Sequence, residues 1–200
     1  MTVQSKVLEK LGDNPNVSVF INYLNTLEKD TDSEGKLRNW WFSKVTDDDF
    51  VNIYRKVAKD NLFIDGDTIT LSYKKKLIVD YSYHAYRKRL LMNYPQTIID
   101  IQVVYKDDSF AFQKESGKVI YKHEFVNPFK QNDADIVGAY CIVKNKLGEF
   151  IEILPKEEAE KMRKVSKMSA IWDKWYSRMI LKSVIKRLCK TFFYDDFKNI

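Results

Sequence analysis

The residues of this 200-residue chain best placed to do chemistry are cations and aromatics near its C-terminal end. The segment SAIWDKWYSRMILKSVIKRLCKTFF, residues 169–193, carries Lys174, Arg178, Lys182, Lys186, Arg187 and Lys190, with Trp172 and Trp175 at its start. Residues 161–190 hold 10 Lys and Arg against one acid, Asp173. A basic concentration of that kind is the footprint of a polyanion-binding surface. Solvated helix faces usually mix both signs, whereas no acid stands between Asp173 and Asp195. Like charges at i, i+4 repel by about 0.2–0.5 kcal/mol per pair, and an anionic partner would remove that repulsion. Aromatic rings beside cations favour unpaired bases, since every base offers a stacking face worth roughly 1–3 kcal/mol.

The other reactive residue types speak against covalent chemistry. Asp47, Asp48 and Asp49 are consecutive, so they cannot converge on a metal from one helical turn, and they read as a helix start. Asp195-Asp196 is equally plain. His84 and His123 have no nucleophile at a telling spacing, and a structural or surface role is expected of both. Six glycines lie scattered with no phosphate-cradling loop, so neither a nucleotide nor any other cofactor is expected. Cys141 and Cys189 sit in apolar patterns without metal-ligand spacing. Buried, inert thiols in a reducing cytoplasmic setting follow.

Elements must position these residues. An apolar fraction of 44% with 14% aromatics is that of a globular chain. The apolar run TIIDIQVVY is too short to cross a membrane, and MTVQSKVLEKLGD lacks the features of an export signal. Residues 1–66 hold 9 Lys and Arg against 11 acids, so the positive charge lies downstream. VSVFINYLNTLEK places Val19, Ile21 or Asn22, Leu24 and Leu27 at helical spacings. Thr46, three acids, then Phe50, Ile53, Tyr54 and Val57 predict a capping box and an amphipathic helix. IDGDTITLSY and LIVDYSY flank Lys74-Lys75-Lys76 as a hairpin with a lysine tip. YHAYRKRLLMN follows as a helix in which Arg87 and Lys88 come after Tyr81, Tyr83 and Tyr86, interleaving bases with aromatics.

Five strand-like segments from TIIDIQVVY to EFIEIL predict an antiparallel meander. Pro155, Glu157 and Glu158 open another helix, and the basic segment forms a last, long one. Wound at the helical period, residues 172–192 put Leu181, Val184, Ile185, Leu188 and Phe192 on one face. Lys182, Lys186 and Lys190 fall opposite, with Arg178 leading toward them and Trp175 on their side. The expected class is therefore α+β: N-terminal helices, hairpin, helix, meander and two C-terminal helices including the long basic one. A helical lobe over 1–62 and an α+β core over 63–200, packed together as one compact domain, are the expected organisation.

The same residues resemble the RecT family, phage single-strand annealing proteins related to the lambda Beta protein. The pattern runs through a strand pair around Tyr140 and Phe150, an acidic-then-basic helix around Lys161 to Lys167, and a Trp before Arg178-Met179-x-x-Lys182-x-x-Ile185-Lys186-Arg187. DTITLSYKKKLIVDYSYHAYRKRL is similar to the family's hairpin, tyrosine turn and basic helix, so the likeness covers about residues 60 to 193. It implies ATP-independent binding and annealing of single-stranded DNA, with no covalent step. Lys74, Lys75, Lys76, Tyr81, Arg87, Lys88, Lys174, Trp175, Arg178, Lys182, Lys186, Arg187 and Lys190 are the DNA-binding candidates. It further implies a homo-oligomeric ring or helical filament, an annealed duplex as product, a phage exonuclease as partner, and a bacterial cytoplasm as the setting.

After the hairpin the family has Gly-Tyr-Arg/Lys-Gly where this chain has Asp80-Tyr81-Ser82-Tyr83, and Lys74 to Lys76 are the cations at hand to compensate. With so few residues after the basic helix, the C-terminal domain that many relatives use for partner contacts is expected to be absent. A passive single-strand-binding protein and a metal-dependent recombination nuclease are the alternative readings.

Overall fold

Thr46 starts its helix as its sequence predicts. In the computed structural model, which describes residues 2–116, 118–129, 131–166 and 169–198, its hydroxyl accepts the Asp49 N–H at 3.2 Å while the Asp49 carboxylate accepts the Thr46 N–H at 3.1 Å. These reciprocal bonds satisfy two N–H groups that a helix start leaves orphaned. The helix is α3 (Asp47–Ala58), and it packs with α1 (Val3–Leu11), which in turn packs with α2 (Pro15–Lys29). Asp47 and Asp48 take the Lys10 ammonium of α1 at 2.5 and 2.7 Å, so two of the three acids also tie helix to helix. The buried faces differ from the expected ones by a residue or two. In α2 they are Val17, Phe20, Leu24 and Leu27, with Val19 exposed. In α3 they are Phe50, Val51, Tyr54 and Val57. The α2 set keeps i, i+3, i+4 steps, and the α3 set does so with Val51 widening the stripe, as core-facing helices require.

The chain divides into two compact units, 1–85 and 86–200. The first holds these helices and the hairpin β1 (Ile69–Tyr73) and β2 (Leu77–Tyr81), paired from Ile69↔Tyr81 to Tyr73↔Leu77. Asp65 accepts the N–H groups of Asp67, Thr68 and Ile69 and so fixes the turn that enters β1. Burial alone would raise its carboxyl pKa, but those bonds outweigh it and leave the group below its ordinary value. Gly66 is required there: its φ is +85°, and a Cβ would lie 2.5 Å from the Tyr23 ring. The Tyr23 hydroxyl accepts the Leu71 N–H at 2.9 Å, fastening the hairpin to α2.

The unit boundary falls within α4 (Tyr83–Asn93). Beyond it, all five expected strands form: β3 (Ile98–Tyr105), β4 (Ser109–Glu115), β5 (Lys118–Glu124), β6 (Ile136–Asn145) and β7 (Gly148–Pro155). Their pairing is not sequential throughout. One sheet has the order β3-β6-β7, and β4-β5 forms a hairpin of its own. The reason lies in burial. β6 is buried from Ile136 to Val143 with only Val137 exposed, so it belongs in the centre, covered on both faces. Phe110 of β4 stacks on Tyr140 of β6 at 5.1 Å, and joins Ile142, Val104, Ile151 and Ile153 in one core layer.

Four helices complete the second unit among the described residues: α5 (Lys156–Val165), α6 (Ser169–Lys174), α7 (Tyr176–Phe192) and α8 (Tyr194–Phe197). Lys167 of the expected acidic-then-basic helix lies outside the described residues. α7 packs on β6, β7 and β3. Cys141 and Cys189 are fully buried, and desolvation raises both thiols well above their ordinary range, so neither forms a thiolate readily.

Candidate nucleic-acid interface

Tyr176, Ile180, Val184, Ile185, Leu188 and Cys189 form the buried face of α7. Each aliphatic among them contributes roughly 1.5–3 kcal/mol by leaving water, and this fixes which residues turn outward. Arg178 and Lys186 are exposed, and Lys182 and Lys190 are half-buried. Spaced four apart, they form one continuous arc along the helix. Phe192, expected on the core face, is 40% exposed, because the stripe drifts around the helix and ends on Phe193 instead.

The basic segment is not one uninterrupted helix. Trp175, with φ −138° and ψ 46°, separates α6 from α7. The hydrogen-bond ladder bridges the break, since its N–H donates to Ile171 and its carbonyl accepts from Met179. Asp133 also accepts the Ser177 N–H at the new helix start. Trp172 and Tyr176 stay buried across the break with rings 5.7 Å apart, while Trp175 is 44% exposed. The Arg178 guanidinium sits 4.8 Å from the Trp175 ring centroid and the Lys174 ammonium 5.6 Å from it. An exposed ring held between two cations stands at the head of the arc.

Two members of the arc, Lys186 and Lys190, crowd like charge. Desolvation first, and the Lys190 charge second, lower the pKa of Lys186. An anion at that point would reverse the second effect. Lys186, Lys190 and Arg187 border a pocket of about 380 Å³ with Ser183, Thr191 and Met162 of α5. Arg187 has partners of its own: Glu152 of β7 at 2.8 Å and Glu158 of α5. It fastens α7 to its neighbours. Arg163 is similarly engaged by Glu160 and by Asp173, the one acid of the basic stretch.

The remaining candidates divide between the units. Lys74, Lys75 and Lys76 are exposed at the hairpin tip, where Lys75 takes φ +67°, and Tyr81 is half-buried at the far end of β2. On α4, Arg87 is exposed and Lys88 half-buried, while Tyr86 is core and stacks on Phe197 at 5.9 Å. His84 lies exposed against Tyr83. The His123 side chain is almost wholly buried between Asp108 at 3.1 Å and the Tyr140 hydroxyl at 3.3 Å. Both histidines thus have the surface and structural roles expected of them. Sequence reading missed Met162 beside the arc, because only the packing of α5 on this unit brings it there.

Among the described residues no helix is long and apolar enough to span a membrane, and no group of three His, Cys, Asp or Glu side chains is placed to hold a metal ion. A cationic helix arc headed by an exposed tryptophan, displayed on a small α+β unit, has the make-up of a single-strand nucleic-acid-binding protein. The family model described as the RecT family matches residues 23–200, most of the chain. The chain belongs to the RecT family, and with it to the single-strand annealing proteins of phage-type recombination, which bind single-stranded DNA. No curated protein sequence matches the chain.

Proposed function

We propose that the protein binds single-stranded DNA and anneals complementary strands without ATP and without covalent chemistry. The observation that carries this reading is the arc Arg178, Lys182, Lys186 and Lys190 leading away from Trp175, which is itself flanked by Lys174 and Arg178. The cations hold phosphates without reading sequence. The Trp175 ring stacks a base, so that the strand stays extended and its pairing edges remain open. Lys74, Lys75, Lys76 and Tyr81 on the hairpin, and Arg87 and Lys88 on α4, are further backbone contacts. Arg187 serves by holding α7 in place through Glu152 and Glu158. Copies of the chain assemble along the strand as a ring or filament, and a phage exonuclease supplies the resected substrate in the bacterial cytoplasm.

The test is annealing of two complementary oligonucleotides by the purified protein, in chelator and without nucleotide. Acceleration with both strands intact is expected. Strand protection without acceleration would favour a passive binder, and cleavage dependent on a divalent ion would favour a nuclease.

A further inference from the structure

In the first unit a second aromatic and cationic surface forms from residues far apart in the sequence. Trp40 and Trp41 are neighbours with opposite fates. Trp41 is buried to 7% and stacks on Tyr73 of β1 with centroids 6.1 Å apart and planes 5° apart. Trp40 meets the same Tyr73 edge-on at 6.3 Å yet remains 57% exposed. The Lys44 ammonium sits over its ring, 4.5 Å from the centroid. Tyr73 directly precedes Lys74, Lys75 and Lys76, all exposed at the hairpin tip. Trp40 also borders a pocket of about 310 Å³, together with the half-exposed Leu37 and with Asn39. Glu28 on the pocket wall is occupied by the Gln4 amide at 2.6 Å.

Trp40 and Leu37, both more than half exposed on one pocket, form an apolar patch beside cations, and such polar-rimmed patches mark contact sites. The fixed Trp41–Tyr73 stack holds Trp40 in place, so ordering it for a ligand costs little further entropy. A cation over the ring, and three more on the turn that follows Tyr73, select a partner with both negative charge and flat π faces. Those are the properties of an unpaired nucleotide.

We propose that Trp40 is a second base-stacking platform, on which one nucleobase of single-stranded DNA rests while Lys44 and the hairpin-tip lysines hold the adjoining phosphates. This inference rests on the single-strand-binding function proposed above. It gives the lysine tip a specific ligand, and it assigns a role to the residues before the hairpin.

The experiment compares the parent, Trp40→Ala and Trp40→Phe on an oligothymidylate and on an abasic oligomer of equal length, which keeps the phosphates and lacks the bases. Trp40→Ala should weaken oligothymidylate binding about five- to 150-fold, the range spanned by base–aromatic stacking. Trp40→Phe should recover most of that loss, and parent and Trp40→Ala should bind the abasic oligomer equally. Circular dichroism and thermal melting verify that both variants fold, as an exposed side chain permits. Unchanged oligothymidylate binding by Trp40→Ala would overturn the inference. Equal losses on both oligomers would do so too, and so would a changed protomer count in light scattering, which would make this face a protein interface. Failure of the parent to bind either oligomer would overturn the binding function itself, a result distinct from a silent Trp40.

Discussion

At the scale of the residue, charge on α7 serves two ends, and the distinction is testable. Lys182 and Lys186 belong to an arc without acids, whereas Arg187 is half-buried and bridges Glu152 and Glu158. On single strands the logarithm of affinity falls with the logarithm of salt by about 0.7 per phosphate neutralised. Converting Lys182 and Lys186 together to Ala should therefore flatten the slope by roughly one to two units and leave the melting temperature nearly unchanged. Arg187→Ala should do the opposite, costing about 1–2 kcal/mol of stability with the slope intact. Denaturant titration and salt-dependent binding separate the two, and a flattened slope for Arg187→Ala would return that residue to the arc. Lys186 adds a pH signature. Its pKa lies below 10.5 in the free protein, so its charge opposes folding at neutral pH, and this penalty is relieved as pH rises through the lowered value. Bound phosphate stabilises the charged form, so affinity should decline with alkalinity before pH 10.5 is reached. That early decline should be absent in Lys186→Ala.

At the scale of the element, two hairpins do different work. The lysine tip between β1 and β2 stands clear of packing. Replacing Lys74, Lys75 and Lys76 with Ser should alter stability by less than about 0.5 kcal/mol. On the proposed function the tip is a finger that closes only over a strand already bound. Retention of a newly annealed pair should therefore fall more than capture of the first strand, as a gel comparison with strands added in sequence would show. Equal losses would make the tip a general electrostatic contributor. The β4-β5 hairpin is instead held on the sheet by Asp108, whose carboxylate takes the N–H groups of Tyr105 and Val126 and the His123 ring. Burial would raise the Asp108 pKa, but these bonds outweigh it and hold the group below its ordinary 3.8. The resulting stability is present above that unfolded value and is lost as pH falls through the lower, folded one. Asp108→Ala should cost about 1–3 kcal/mol at neutral pH, because it strands buried donors. Its cost should shrink below pH 3.8, where the parent loses the same bonds. A cost that does not vary with acid would mean that packing, not the carboxylate, holds the hairpin.

At the scale of the whole molecule, annealing depends on many weak contacts repeated along a strand. In the proposed mechanism one protomer offers a short arc, and assembly on the DNA would multiply its contacts by raising the effective concentration of each next one. Annealing rate should therefore rise more steeply than in proportion to protein concentration, while light scattering shows complexes growing by several protomers per strand. A single protomer bound per strand and annealing at full rate would remove self-association from the mechanism.

The sequence by itself determined the α+β class, the cap at Thr46, the lysine tip between two strands and the burial of both cysteines. All of these depend on neighbours within a few residues, or on the period at which apolar side chains return. It also exposed the arc Arg178, Lys182, Lys186 and Lys190, because a four-residue repeat of cations is visible in the chain itself. Tertiary structure decided what depends on distant partners. β6 took the centre of a three-stranded sheet because both its faces found cover, which no local pattern distinguishes from a sequential meander. Arg187 ties α7 to its neighbours because Glu152 and Glu158 come to it from other elements. Trp40 and Trp41, adjacent and chemically identical in the sequence, became an exposed ring and a buried one where both meet Tyr73, from a strand some thirty residues away.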